Sequence, residues 1–156
     1  MNKALIGFGI AAIVIIAIFI IHSQAPKRTA MTMQQKMAMI PSDKDYSRTR
    51  LSEDKKFRIS VSSLIEPIPI NQIHQWVIYI ETSVGVPVVD AKVSISGGMP
   101  MHKHGLPTAP RVTKNLGEAK YLLEGVKFNM TGWWELIIKV NTPSDQDITI
   151  FNVILR

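Results

Sequence analysis

The sequence predicts an all-β sandwich of about seven strands, preceded by one transmembrane helix and a polar linker. Three observations predict it. From Lys55 onward, apolar and polar residues alternate with period two in short runs, the pattern of strands buried on one face. Gly85, Pro87, Gly117 and Pro143 break those runs, as turn residues do. Far upstream, Ala4–Ile21 is eighteen residues without a charge, and a bilayer core needs roughly 17–25 apolar residues in a helix.

The first element is the anchor, residues 1–22. A secretory signal has a shorter apolar core of about 7–15 residues. Pro26 would also follow the weak cleavage pattern at Ser23 and Ala25, so an uncleaved single-pass anchor is expected. Lys3 precedes the segment and Lys27 and Arg28 follow it. A positive-inside count puts the C-terminal side in the cytoplasm, yet long domains translocate with little regard to charge, so charge leaves both orientations open.

The second element, residues 23–50, is polar, carries Pro26 and Pro41, and lacks apolar periodicity; it reads as a linker. Within it, "MTMQQKMAMI" holds Met31, Met33, Met37 and Met39. The chain has eight methionines, and apart from Met1 the others are Met99, Met101 and Met130. None is expected inside the anchor or a strand, where methionine serves as core filler. The tract admits two readings. One is a thioether tract for Cu(I). The other is a short amphipathic helix beside the membrane, with Lys27, Arg28 and Lys36 near lipid phosphates.

Charge and cysteine usage exclude several function classes. Residues 1–50 hold seven Lys/Arg against two acids, and residues 51–156 hold eleven against ten. A nucleic-acid binder carries its positive charge on the folded domain; this chain carries it upstream, so no nucleic-acid partner is expected. The absence of cysteine removes disulfides, thiolate zinc sites, Cys nucleophiles and blue-copper centres.

The third element, residues 51–156, is the sandwich. "FRISVSSLI" sets Phe57, Ile59 and Val61 on one face, and "HQWVIYI" sets His74, Trp76, Ile78 and Ile80 on one face. "AKVSIS" gives Ala91, Val93 and Ile95; "AKYLLEGV" gives Tyr121 and Leu123. "WWELIIKV" sets Trp134, Leu136, Ile138 and Val140 opposite Trp133, Glu135, Ile137 and Lys139. A short strand near Arg111–Lys114 and the closing "DITIFNVIL" complete about seven. That number in roughly 100 residues points to an immunoglobulin-like sandwich. His74 shares parity with the core residues at its strand's start, which places it toward one pole of the sandwich.

Between two strands lies "GGMPMHKHGLPTAP", Gly97–Pro110. Its prolines and glycines predict a stiff, exposed loop. His102 and His104 are one residue apart, and in extended backbone such residues project to one side. Two imidazoles with thioethers from Met99, Met101 and Met130, and with His74 at the same pole, form a donor set that favours copper over zinc, calcium or magnesium. No carboxylate adjoins the histidines in sequence to orient them. No serine sits in a nucleophile-elbow pattern, and the scattered carboxylates read as solvated charge, so no enzymatic activity is expected. A rival expectation is a non-catalytic structural or accessory subunit of a membrane protein complex, its anchor packing through Gly7, Gly9, Ala11 and Ala12.

The stretches "PIPINQIHQW", "GVPVVDAKVSISGGMPMHKHGLPTAPRVT", "YLLEGVKFNMTGWWEL" and "DITIFNVIL" together resemble the YtkA-like domain family, which is related to the FixH-like proteins. The resemblance covers about 65–156. It implies an immunoglobulin-like domain displayed on the periplasmic side of a bacterial inner membrane. It also implies an association with copper handling and with assembly of a membrane copper enzyme, and it supplies no catalytic residue.

Overall fold

The computed structural model describes Thr32 and residues 40–156. The expected anchor and the methionines at positions 31, 33, 37 and 39 lie outside the described residues. Among the described residues, no helix is long and apolar enough to cross a membrane.

Among the described residues, nine strands form one sheet: β1 (Thr49–Leu51), β2 (Phe57–Ser63), β3 (His74–Thr82), β4 (Lys92–Met99), β5 (His104–Gly105), β6 (Arg111–Gly117), β7 (Lys120–Val126), β8 (Gly132–Asn141) and β9 (Gln146–Leu155). The count exceeds the expected seven. Each of the seven alternating runs is a strand, and the additions are β1 and β5, three and two residues long, too short to show an alternation. Among the described residues, strand pairing thus begins at Thr49, inside the stretch read as linker.

The strand order is β1-β2-β3-β7-β6-β4-β8-β9, with β5 paired to β4. Every strand pairing is antiparallel. Five strands and the remaining four meet at a single register pair, Ser94 with Arg111. The opposite edges approach through the Glu53 amide, which donates to the Ile148 carbonyl, and through the Arg50 guanidinium on the Ile150 carbonyl. The sheet is therefore a two-layered body that nearly closes on itself.

Alternation explains the core. Phe57, Ile59 and Val61 face Trp76, Ile78 and Ile80, and Trp134, Leu136, Ile138, Val140, Phe151 and Val153 meet them from the other layer, all buried. Each such aliphatic side chain stabilises the fold by roughly 1.5–3 kcal/mol on leaving water. The register defines two poles. One holds the entry into β1, the starts of β3, β6 and β8, and the ends of β4, β7 and β9; the other holds the β1–β2, β3–β4 and β8–β9 connections.

Candidate functional site

The loop histidines sit on a tight hairpin at the first pole. β4 runs through Gly98 and Met99; a 3-10 turn over Pro100–His102 follows, and β5 returns with Met99 opposite His104 and Gly98 opposite Gly105. The two glycines have a definite reason. β4 is flanked on one side by β8 and on the other by β5. A Cβ at Gly97 would collide with the Glu135 carbonyl, and one at Gly98 with the His104 carbonyl.

This geometry corrects the expected route by which the histidines come together. The backbone between them is not extended. His102 ends the 3-10 turn, and Lys103 is left-handed, with φ 54° and ψ 36°. The rings nevertheless lie 6.0 Å apart between centroids. An imidazole nitrogen sits about 2.0–2.1 Å from its metal, so two rings on one ion hold their centroids about 5–6 Å apart. Nδ1–H of His104 donates to the Gly105 carbonyl at 3.1 Å, which leaves Nε2 as its ligating nitrogen. His102 and Met101 are exposed, and His104 is half-buried.

Trp134 organises the hairpin's base. Its ring takes the His104 imidazole in an edge contact at 5.6 Å, and its indole N–H donates to the Met130 carbonyl at 3.1 Å. Met99 also differs from expectation. It closes β4, is 2% exposed, and belongs to the core cluster, so one methionine does lie in a strand as apolar filling. Its methyl reaches the space above Gly132, where a Cβ would stand 3.0 Å away. Met130 is exposed, with its carbonyl rather than its side chain tied to Trp134.

His74 is at the same pole but does not join the pair. It is 3% exposed, and its Nδ1–H donates to the Gln72 carbonyl at 3.1 Å. Ring contacts run from His104 to Trp134, then to Phe128 at 5.1 Å, then to His74 at 5.7 Å. Two aromatic side chains thus stand between the imidazoles. The structure gathers His102, His104 and the exposed Met101 on one turn, with Met99 and Met130 at its base and His74 apart. Among the described residues, no three His, Asp or Glu side chains are placed to hold one metal ion.

Two participants escaped the sequence reading. Trp134 reads in the sequence mainly as core and rim packing, and its contact with His104 crosses from one strand pair to another. Glu135 lines the same surface depression of about 330 Å³ as His104, Met99 and Lys103, a neighbour that adjacency in sequence does not reveal. A family model described as YtkA-like matches residues 51–139. No curated protein and no solved structure matches the chain.

Proposed function

The chain belongs to the YtkA-like family, and from that premise we propose that it is a membrane-anchored domain that accepts copper on His102 and His104 and passes it on. We read the two-layered sheet as immunoglobulin-like and the domain as periplasmic, held at the bacterial inner membrane by residues 1–22. The observation that carries the reading is the 6.0 Å separation of two accessible imidazoles on one turn. Imidazole suits copper, and a neighbouring thioether such as Met101 favours Cu(I). Two protein donors leave the ion's other positions open, which suits transfer more than storage. The receiving protein in this reading is a membrane copper enzyme during its assembly.

The test is a Cu(II) titration of the full chain in mild detergent, read by tryptophan fluorescence, because His104 touches Trp134. Quenching is expected at low copper in the native chain, with affinity reduced at least tenfold in the His102→Ala/His104→Ala double variant. Equal affinity in both would remove the hairpin from the site.

A second reading has its own observation. Leu64, Ile65 and Ile73 are 54%, 41% and 62% exposed and line a depression of about 270 Å³. An exposed apolar group of this kind marks a contact surface, which fits an accessory subunit docked on a membrane complex. A stoichiometric partner retained in mild detergent after metal chelation would favour it.

A further inference from the structure

Four buried side-chain polar atoms among the described residues lack a hydrogen-bond partner: Arg48 Nη1, His74 Nε2, Trp76 Nε1 and Thr149 Oγ1. Three of them cluster at one indole: its own N–H, with Arg48 and His74 beside the ring. The Arg48 guanidinium carbon lies 5.0 Å from the Trp76 ring centroid, and the His74 ring lies 6.3 Å from it. Native interiors pair nearly all their buried polar groups, so a local concentration of unpaired ones marks a place where another molecule belongs.

The register explains how an arginine comes to be there. Arg50 pairs with Ile59 in β2, and the Val61 amide donates to the Arg48 carbonyl. Arg48 and Arg50 therefore share the inward parity of Ile59 and Val61. Arg50 is satisfied by Asp45 at 3.2 Å and by the Ile150 carbonyl. Arg48 is not: among the described residues its guanidinium enters no ion pair and donates no hydrogen bond. Burial holds it below its ordinary pKa, with the Glu66 carboxylate acting in the opposite direction. The guanidinium lies over the indole ring within cation–π range, and that contact uses none of its N–H groups, which remain for an acceptor.

We propose that Arg48 and Trp76 form a binding site for a small oxyanion of carboxylate or bicarbonate size, with His74 at its edge. A planar guanidinium offers a charged fork that matches two oxygens of one group, and the Trp76 N–H adds a third donor. His74 already spends Nδ1–H on Gln72, so its Nε2 is an acceptor for a hydroxyl. Bicarbonate, which carries one O–H, satisfies all three side chains; formate satisfies two. Trp76 is 0% exposed, which limits the ligand to a few atoms. Arg48 is only partly buried and provides the way in.

The test follows the indole N–H resonances of the full chain in mild detergent, with a metal chelator present, so that its outcome is independent of the copper reading. Sodium formate and sodium bicarbonate are titrated at constant ionic strength. A saturable shift of the Trp76 resonance is expected, tighter for bicarbonate. Trp133 and Trp134, whose N–H groups already bond Asn152 and the Met130 carbonyl, should stay in place. Arg48→Met should weaken binding at least tenfold. Arg48→Lys keeps the charge without the fork and should weaken it several-fold, a second reading should the methionine variant fail to fold. A Trp76 resonance unmoved by either anion and showing only exchange with solvent would identify bound water and overturn the proposal, as would unchanged affinity in Arg48→Lys.

Discussion

The two poles of the sheet treat their polar groups differently. At the pole of the β1–β2 and β8–β9 connections, buried polar groups other than the Thr149 hydroxyl are paired. Asp147, 7% exposed, accepts from the amides of Asp54, Lys56 and Ile148. The Ser52 hydroxyl donates to the Phe57 carbonyl while accepting the Phe57 amide. The Tyr121 hydroxyl donates to the Val88 carbonyl and accepts from the Ala91 amide. At the other pole, Arg48, His74 and Trp76 keep buried nitrogens unpaired, and His102 and Met101 stand in solvent. A closed hydrogen-bond inventory stabilises; an open one costs stability and leaves groups free for a ligand. The histidine pole leaves its polar groups open; the opposite, holding pole closes most of them.

Perturbing each pole in turn sharpens that contrast. Trp134→Ala should have the largest effect, about 3–5 kcal/mol of destabilisation, because it empties a fully buried indole volume and removes the platform under His104. Denaturant melts measure it, and a loss near zero would mean the histidine pole is loosely attached to the core.

At the holding pole, Asp147→Ala should cost roughly 2–3 kcal/mol, since it strips three amides of a charged acceptor. Burial pushes this carboxyl up, but the Ser52 hydroxyl beside it and the amides of Ile148, Asp54 and Lys56 outweigh that and hold it below the usual carboxylate range. Its contribution is therefore fully present above the ordinary carboxylate pKa and is lost as pH falls through the depressed folded value. Melts of the native chain and of Asp147→Asn across the acid range should converge at the lowest pH; parallel curves would show that Asp147 is not the titrating group.

Gly98→Ala should cost about 1–3 kcal/mol by driving β4 and β5 apart, and should weaken copper binding with it. His102→Ala should move stability by less than about 0.5 kcal/mol while lowering Cu(II) affinity at least tenfold. Stability and binding measured side by side on these two variants separate the hairpin's shape from its donors.

The long strands were legible because their alternation is one-dimensional. Phe57, Ile59 and Val61, or Trp134, Leu136, Ile138 and Val140, declare a buried face without reference to anything else. β1 and β5 were not legible, since "TRL" and "HG" are too short to alternate. Arg48 read as linker because its inward direction depends on the register of β1 against β2. The histidine pair was found from spacing alone, although its closeness comes from a left-handed lysine, a conformation that a non-glycine residue does not announce. Met99 looked like a loop donor because the prolines beyond it hid the strand's last residue. Glu135 and Trp134 neighbour His104 only after β4, β5 and β8 have come together.

The lone register pair between Ser94 and Arg111 gives the hairpin a single allegiance. β4 meets β8 along seven consecutive positions, Lys92 through Gly98, so the imidazoles travel with that layer. A protein that peeled β6 away would slacken the seam while leaving the spacing of the two rings intact.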